Sequence, residues 1–275
     1  MRLFLFLFMV SSVAFGQKNY AEHFYDNGNT SDKGWLQDNV KVDYWYFYYT
    51  NGQLKKRGAF INGKENGFWK FYDSNGNTEA FGYFKNGLKI KHWKTYSNNK
   101  LLEEGHYNNG KRSKYWKFYF PNGRLKSTGH FLDNLKTAYW KTYYNNGKLK
   151  NEGQYLNDKQ TGYWRFFYDN GQIEKVGDYK LGKLNSYWQF YSRKGTKTSE
   201  GHFVNGKKDS WWLFYDENEK INHKCQLTNN KKNGYCLMYK DEKLISASRY
   251  SKGKKLKEWT DLKSFKRDNK LSDLK

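Results

Sequence analysis

Tryptophan recurs along this chain at a nearly fixed interval: Trp45, Trp69, Trp93, Trp116, Trp140, Trp164, Trp188, Trp212 and Trp259. Cys236 fills the one missing slot, so the steps are 24, 24, 23, 24, 24, 24, 24, 24 and 23 residues. A fixed period of this size marks a repeat architecture. A degenerate copy precedes the first anchor, beginning near Ala21, with FYDNG at Phe24–Gly28 and GWL at Gly34–Leu36 in register. An aromatic follows each anchor by three residues, from Tyr48 and Tyr72 to Tyr239. Glycine follows about thirteen residues after it, from Gly58 to Gly201, and a second aromatic two further on, from Phe60 to Phe203. The two short steps lose their residue in turns, at Ser97–Lys100 and Lys240–Lys243, which leaves the strand registers intact.

One repeat reads as two strands. The ring-rich segment has bulky residues at a spacing of two, which suits a strand. Asn-Gly follows it, a strong hairpin signal because both residues tolerate positive φ. The only proline, Pro121, sits in such a turn. A second strand such as Lys148–Tyr155 alternates, and a second turn, of the NGK type, leads to the next anchor. Composition agrees: aromatics are 20% of residues, too many for a disordered chain despite a net charge of +23. A single hairpin cannot bury its own apolar face, which explains the repetition.

The run NGKLKNEGQYLNDKQTGYWRFFYDNG, Asn146 to Gly171, resembles the bacterial variant of the MORN repeat (membrane occupation and recognition nexus). The resemblance extends from about Ala21 to Trp259 and implies an all-β fold, an elongated single-sheet solenoid of about ten consecutive antiparallel β-hairpins. It also implies non-enzymatic work: scaffolding, self-association or phospholipid binding. Some bacterial relatives carry an antitoxin label, so a protein-neutralising role is a second alternative. The divisions expected are a signal peptide at 1–16, the repeat array at 17–259 and a tail at 260–275, a short helix or a frayed end.

No catalytic or phosphate-binding signature is present, and neither an enzymatic site nor a cofactor is expected. His106, His130 and His202 share one slot, but equivalent slots lie two strands apart, roughly 10 Å, too far to share a metal ion. The basic residues are more informative. Lys70, Lys94, Lys117, Lys141 and Arg165 each follow an anchor tryptophan, and Lys55, Lys126, Lys150 and Lys175 lie in the second strand. Stripes of one sign attract anions, and they also keep a long sheet soluble. The expected partners are an acidic protein, an anionic envelope component with at most peripheral membrane contact, or a second copy. Rings among basic residues also suit single-stranded nucleic acid, but export argues against nucleic acid as the partner. The alternative is a glycan-binding module that uses exposed rings, which requires solvent-facing rather than buried tryptophans.

Cys225 stands in the repeat's glycine slot and Cys236 in the next tryptophan slot. If glycine lies opposite tryptophan, both members of a facing pair have been exchanged, and a disulfide is within reach. Turn length leaves that facing open by one residue, so two buried free thiols are the other reading. The N-terminus, MRLFLFLFMVSSVAFGQ, has one charge at Arg2, a short apolar run, and small residues at Ala14 and Gly16. That is the layout of a secretory signal peptide, and the run is too short for a comfortable membrane span. Export to the periplasm, cell surface or medium is therefore expected, in an oxidising setting. Mass spectrometry of the protein from its native host should find Gln17 at the N-terminus, and an intact Met1 in a cytoplasmic fraction would contradict export.

Overall fold

The computed structural model describes residues 16–270. The expected signal peptide lies outside the described residues apart from Gly16. The described residues form twenty-one strands and one helix, in two units that divide after Asn99. The first unit holds seven strands, from Lys18–Phe24 to Leu88–Ser97. The second holds fourteen, from Lys100–Asn108 to Lys254–Trp259, and then the helix Leu262–Asp268. Within each unit, strands consecutive in sequence pair antiparallel, so each is an all-β ladder of hairpins.

Two kinds of turn alternate. The turn that leads into each anchor strand is a two-residue connection with both residues at positive φ, as at Asn157 (48°) and Asp158 (62°). The turn after the anchor strand is longer except at Asn98–Asn99 and Asp241–Glu242, where the lost residue leaves a two-residue turn of the first kind, and in the longer turns the structure corrects the reading of Asn-Gly. In Tyr144–Gly147 only Gly147 is left-handed, at 89°, and its N–H donates to the Tyr144 carbonyl at 2.9 Å. Asn146 serves through its side chain instead. It accepts from the Lys148 N–H at 3.0 Å and donates to the Asp169 carbonyl of the next such turn at 2.9 Å. The Tyr144 hydroxyl reaches the Phe167 carbonyl in the same way, at 2.7 Å. These bonds tie this turn to the one a repeat later, as Tyr168 and Asn170 do to the turn after theirs.

Glycine does lie opposite tryptophan, as at Gly105 with Trp116, Gly177 with Trp188 and Gly201 with Trp212. The indole lies flat on the glycine. A Cβ at Gly153 would come within 2.3 Å of the Trp164 ring, and one at Gly129 within 2.1 Å of Trp140. A two-residue bulge permits this approach. Opposite Gly177 and Asp178 the register runs from Trp188 to Asn185, skipping Ser186 and Tyr187. The first skipped residue is left-handed in successive repeats: Lys114 at 59°, Ala138 at 56°, Gly162 at 62°, Ser186 at 60°, Ser210 at 60°. The bulge frees carbonyls from the ladder, and the indole N–H satisfies them: Trp188 donates to Asp178 at 3.0 Å and to Asn185 at 3.2 Å. An aromatic closes the indole's side, as Phe203 does edge-on to Trp212 at 5.0 Å, and a cation covers it, as Lys208 does at 3.9 Å. The eight anchors from Trp45 to Trp212 are at most 2% exposed. Burying roughly 200 Å² of ring contributes on the order of 5 kcal/mol per indole as an upper figure.

The last repeats depart from this scheme. Cys225 faces Cys236 and the two form a disulfide, with Cα atoms 4.0 Å apart. It closes an eleven-residue separation, which stabilises by about 2–3 kcal/mol in the chain-entropy account. Trp259 is not an anchor of the same kind. Ser248 faces both Cys236 and Glu258, so Glu258 holds the anchor side, and Trp259 faces Ala247 on the opposite surface. The physical reason is a shortened bulge: this hairpin skips only Leu256, and a one-residue slip turns every later side chain over. Trp259 instead packs with Tyr235, Leu237, Ala247 and Phe265 of the helix. The tail is thus a folded cap, with Asp261 accepting from the Ser264 N–H at the helix start, at 2.7 Å.

Paired substitutions test the indole seat. Gly153→Ala should cost roughly 3 kcal/mol, because the methyl has no room beneath Trp164. Ala138→Gly should stabilise by about 0.5–1 kcal/mol, since an exposed alanine holds a left-handed conformation there. Urea unfolding followed by tryptophan fluorescence would check both signs.

Candidate functional site

The surface opposite the anchor indoles carries the side chains that alternate with them. In the first unit it presents Lys70, whose Nζ lies 4.9 Å from the Tyr72 ring, and Lys94, beside Phe81. In the second unit the same column holds Lys117, Lys141 and Arg165, and these do not form a bare stripe. Lys117 lies 3.8 Å from the Glu104 carboxylate and Lys141 lies 3.7 Å from Glu152, which also pairs with Arg165. Beyond Arg165 the column continues as Gln189, Leu213 and Leu237. The second expected set also has other work. Lys55, Lys126 and Lys150 lie over the turn aromatics Tyr49, Phe120 and Tyr144, whereas Lys175 sits on the anchor surface over Phe166.

The paired carboxylates stand in the slot just before the repeat glycine, where Glu152 is 4% exposed and Glu200 7%. Burial opposes ionisation of Glu200. Hydrogen bonds from Lys197, Tyr215 and Gln189 overcome that and hold its pKa down at about 2. Burial and the neighbouring Glu200 carboxylate push the Tyr187 hydroxyl up to about 12. Burial and Glu152 push Tyr139 in the same direction. Among the described residues no buried side-chain polar atom lacks a partner.

Two further columns complete the second unit. Tyr115, Tyr139, Tyr163 and Tyr187 each precede an anchor and point away from it, 40–56% exposed. Around Tyr163 lies an open groove of about 570 Å³, walled by Tyr139, Tyr191, Gln154 and Gln189, with Val176 and Ile173 lining it. Along the edge formed by the two-residue turns, Lys159, Lys183, Lys207, Lys231 and Lys254 occupy one slot, all exposed. None of the five is ion-paired among the described residues. Three lysines of that edge, Lys207, Lys231 and Lys252, line a concavity of about 520 Å³ together with Thr228 and Ser251. His130 and His202 lie edge-on to Tyr115 and Tyr187, each at 5.0 Å. Among the described residues no group of three or more His, Cys, Asp or Glu could hold a metal ion.

The profile of the MORN repeat variant matches residues 44–62, 114–133, 136–157 and 160–181, each opening next to an anchor or the turn before one. The chain carries repeats of the MORN variant. No curated protein matches its sequence. Among solved structures, that of TarM is 14% identical over 35% of this chain and 19% of its own, with a TM-score of 0.24. The TcdB2-TccC3-TEV structure is 13% identical over 86% of this chain and 14% of its own, at 0.21. The Photorhabdus luminescens Tc holotoxin pore is 13% identical over 84% and 13%, at 0.16. The chain spans less than a fifth of each, and at these TM-scores the likeness carries no argument.

The MORN repeats make this chain a repeat-based interaction module. Its tyrosine column and lysine edge are both present in the spacing, tyrosine one residue before Trp116, Trp140, Trp164 and Trp188, and lysine five before Trp164, Trp188, Trp212, Cys236 and Trp259. Only the bulge, which separates the tyrosine from its indole, shows where they point. The Glu200 cluster gives a pH test. Its folded pKa lies below the ordinary 4.5, so its stabilisation is present above pH 4.5 and is lost as pH falls toward 2. Glu200→Gln should melt lower than the parent at pH 7, and the two melting curves should converge as pH drops through that window.

Proposed function

We propose that this protein is a non-enzymatic, exported scaffold that holds an anionic partner along its lysine edge. The observation that supports this reading is the contrast between two sets of cations in the second unit. Those in the column after the anchors are held by buried glutamates. Those on the turn edge are exposed and unpaired. Successive edge lysines stand two strands apart, about 10 Å, a little beyond the Debye length of about 8 Å at physiological salt, so their fields overlap in part and more strongly at lower salt. Such a row attracts an acidic protein surface or an anionic envelope component and speeds encounter. The net charge of +23 acts in the same sense. The buried tryptophan column favours a scaffold over a binder that stacks ligands on tryptophan.

The test is retention of an acidic partner from envelope extract on the immobilised protein. Charge reversal at Lys183, Lys207 and Lys231 should lower retention at least tenfold, as should raising sodium chloride from 50 to 300 mM. Replacing Lys117 and Lys141 with Gln should change retention less than twofold. Retention indifferent to salt and to the edge substitutions would overturn the reading.

A further inference from the structure

The tyrosine column lies on a different part of the second unit from the lysine edge. Its rings belong to alternate strands, so neighbours stand about 10 Å apart along the sheet. Buried carboxylates neighbour two of the rings, Glu152 that of Tyr139 and Glu200 that of Tyr187. Each of the four tyrosines is 40% or more exposed. Tyr163 differs because Val176 takes the glutamate's slot beside it. Its ring is the most exposed of the four, at 56%, and stands in the groove. A polar side chain pairs directly opposite each ring: Gln154 with Tyr139, Asp178 with Tyr163, His202 with Tyr187. The column ends where the helix Leu262–Asp268 covers the next equivalent positions, with Trp211 partly buried and Tyr235 under Phe265.

Flat apolar platforms at one fixed interval, each with a donor or acceptor beside it, match a ligand with the same period. An α-helix, with a pitch of about 5.4 Å, does not meet the platforms turn for ring. A β-1,4-linked chain of glucose-type sugars presents a flat, apolar face of axial C–H bonds and a rim of hydroxyls. Its disaccharide repeat is also about 10 Å, the spacing of two strands. We infer that the tyrosine column binds a linear β-1,4-linked polysaccharide strand, one ring stacking on every second sugar. The polar side chains opposite the rings hydrogen-bond the sugar rim, with Tyr163 and its groove at the centre. This site is independent of the lysine edge and adds a neutral ligand to an anionic one.

The experiment titrates the protein calorimetrically with the hexamers and dimers of N-acetylglucosamine and of glucose. One hexamer should bind at least tenfold more tightly than its dimer, because it spans three rings. Tyr163→Ala should weaken the hexamer about tenfold with the thermal unfolding transition unchanged, and Tyr163→Phe should stay within twofold. Sodium chloride at 300 mM and reversal of Lys183, Lys207 and Lys231 should leave sugar binding unaltered, which separates this site from the scaffold reading. Absence of saturable binding by either hexamer would overturn the inference. So would equal affinity for dimer and hexamer, or an unweakened Tyr163→Ala. A protein retained through Tyr163 that neither hexamer displaces would overturn it in favour of a protein ligand.

Discussion

A tryptophan lying flat on a glycine of the neighbouring strand is the contact from which the rest follows. A sheet with rings on one surface and no second layer over it would ordinarily leave those rings wet. Here the indole drops to backbone level because glycine has no Cβ, and the edge-on aromatic and the overlying lysine stem complete its enclosure. The core is therefore made within the sheet itself. That accounts for the strict period: each indole needs its own glycine, its own bulge and its own covering side chain, and all three come from adjacent hairpins.

How far the sequence discloses this depends on the kind of signal. The period, the hairpin strands and the facing of glycine with tryptophan are readable, because each is a repeated residue type with a steric reason. The Cys225–Cys236 pair is readable for the same reason, as a joint exchange in two facing slots. The bulge is not. Its left-handed residue is Gly162 in one repeat but Lys114, Ala138 or Ser210 in others, so no side-chain type announces it. Trp259 shows the consequence, since counting residues puts it in the anchor slot and one missing bulge residue turns it over. The role of Asn146 was also hidden, because a side-chain bond to the next turn leaves the same dipeptide as a left-handed pair.

Charge divides along the same lines. A lysine column in sequence says nothing about whether acids face it. Glu152 sits on the neighbouring strand, close enough to take up both Lys141 and Arg165. Lysines at the turn edge escape such pairing because the carboxylates of this unit that are buried lie in mid-strand. The mid-strand column of this unit thus neutralises charge, and the edge of two-residue turns displays it. Tyr139 and Tyr187 lie beside the same buried acids, so Glu152 and Glu200 bear on both the cations and the tyrosines of that surface.

The exchange of surfaces at the end of the chain bears on how such an array grows. Copies can be duplicated or lost in whole periods wherever neighbouring hairpins bury the same side, because each new junction reproduces an old one. Past the disulfide that equivalence fails: the apolar side chains have crossed to the other surface, and a hairpin added after Trp259 would meet Glu258 where it needs an indole. The final repeat therefore acts as a parity stop. An exchange between like units upstream of Cys225 would preserve every junction, whereas no such unit fits in place of the stretch that carries Trp259.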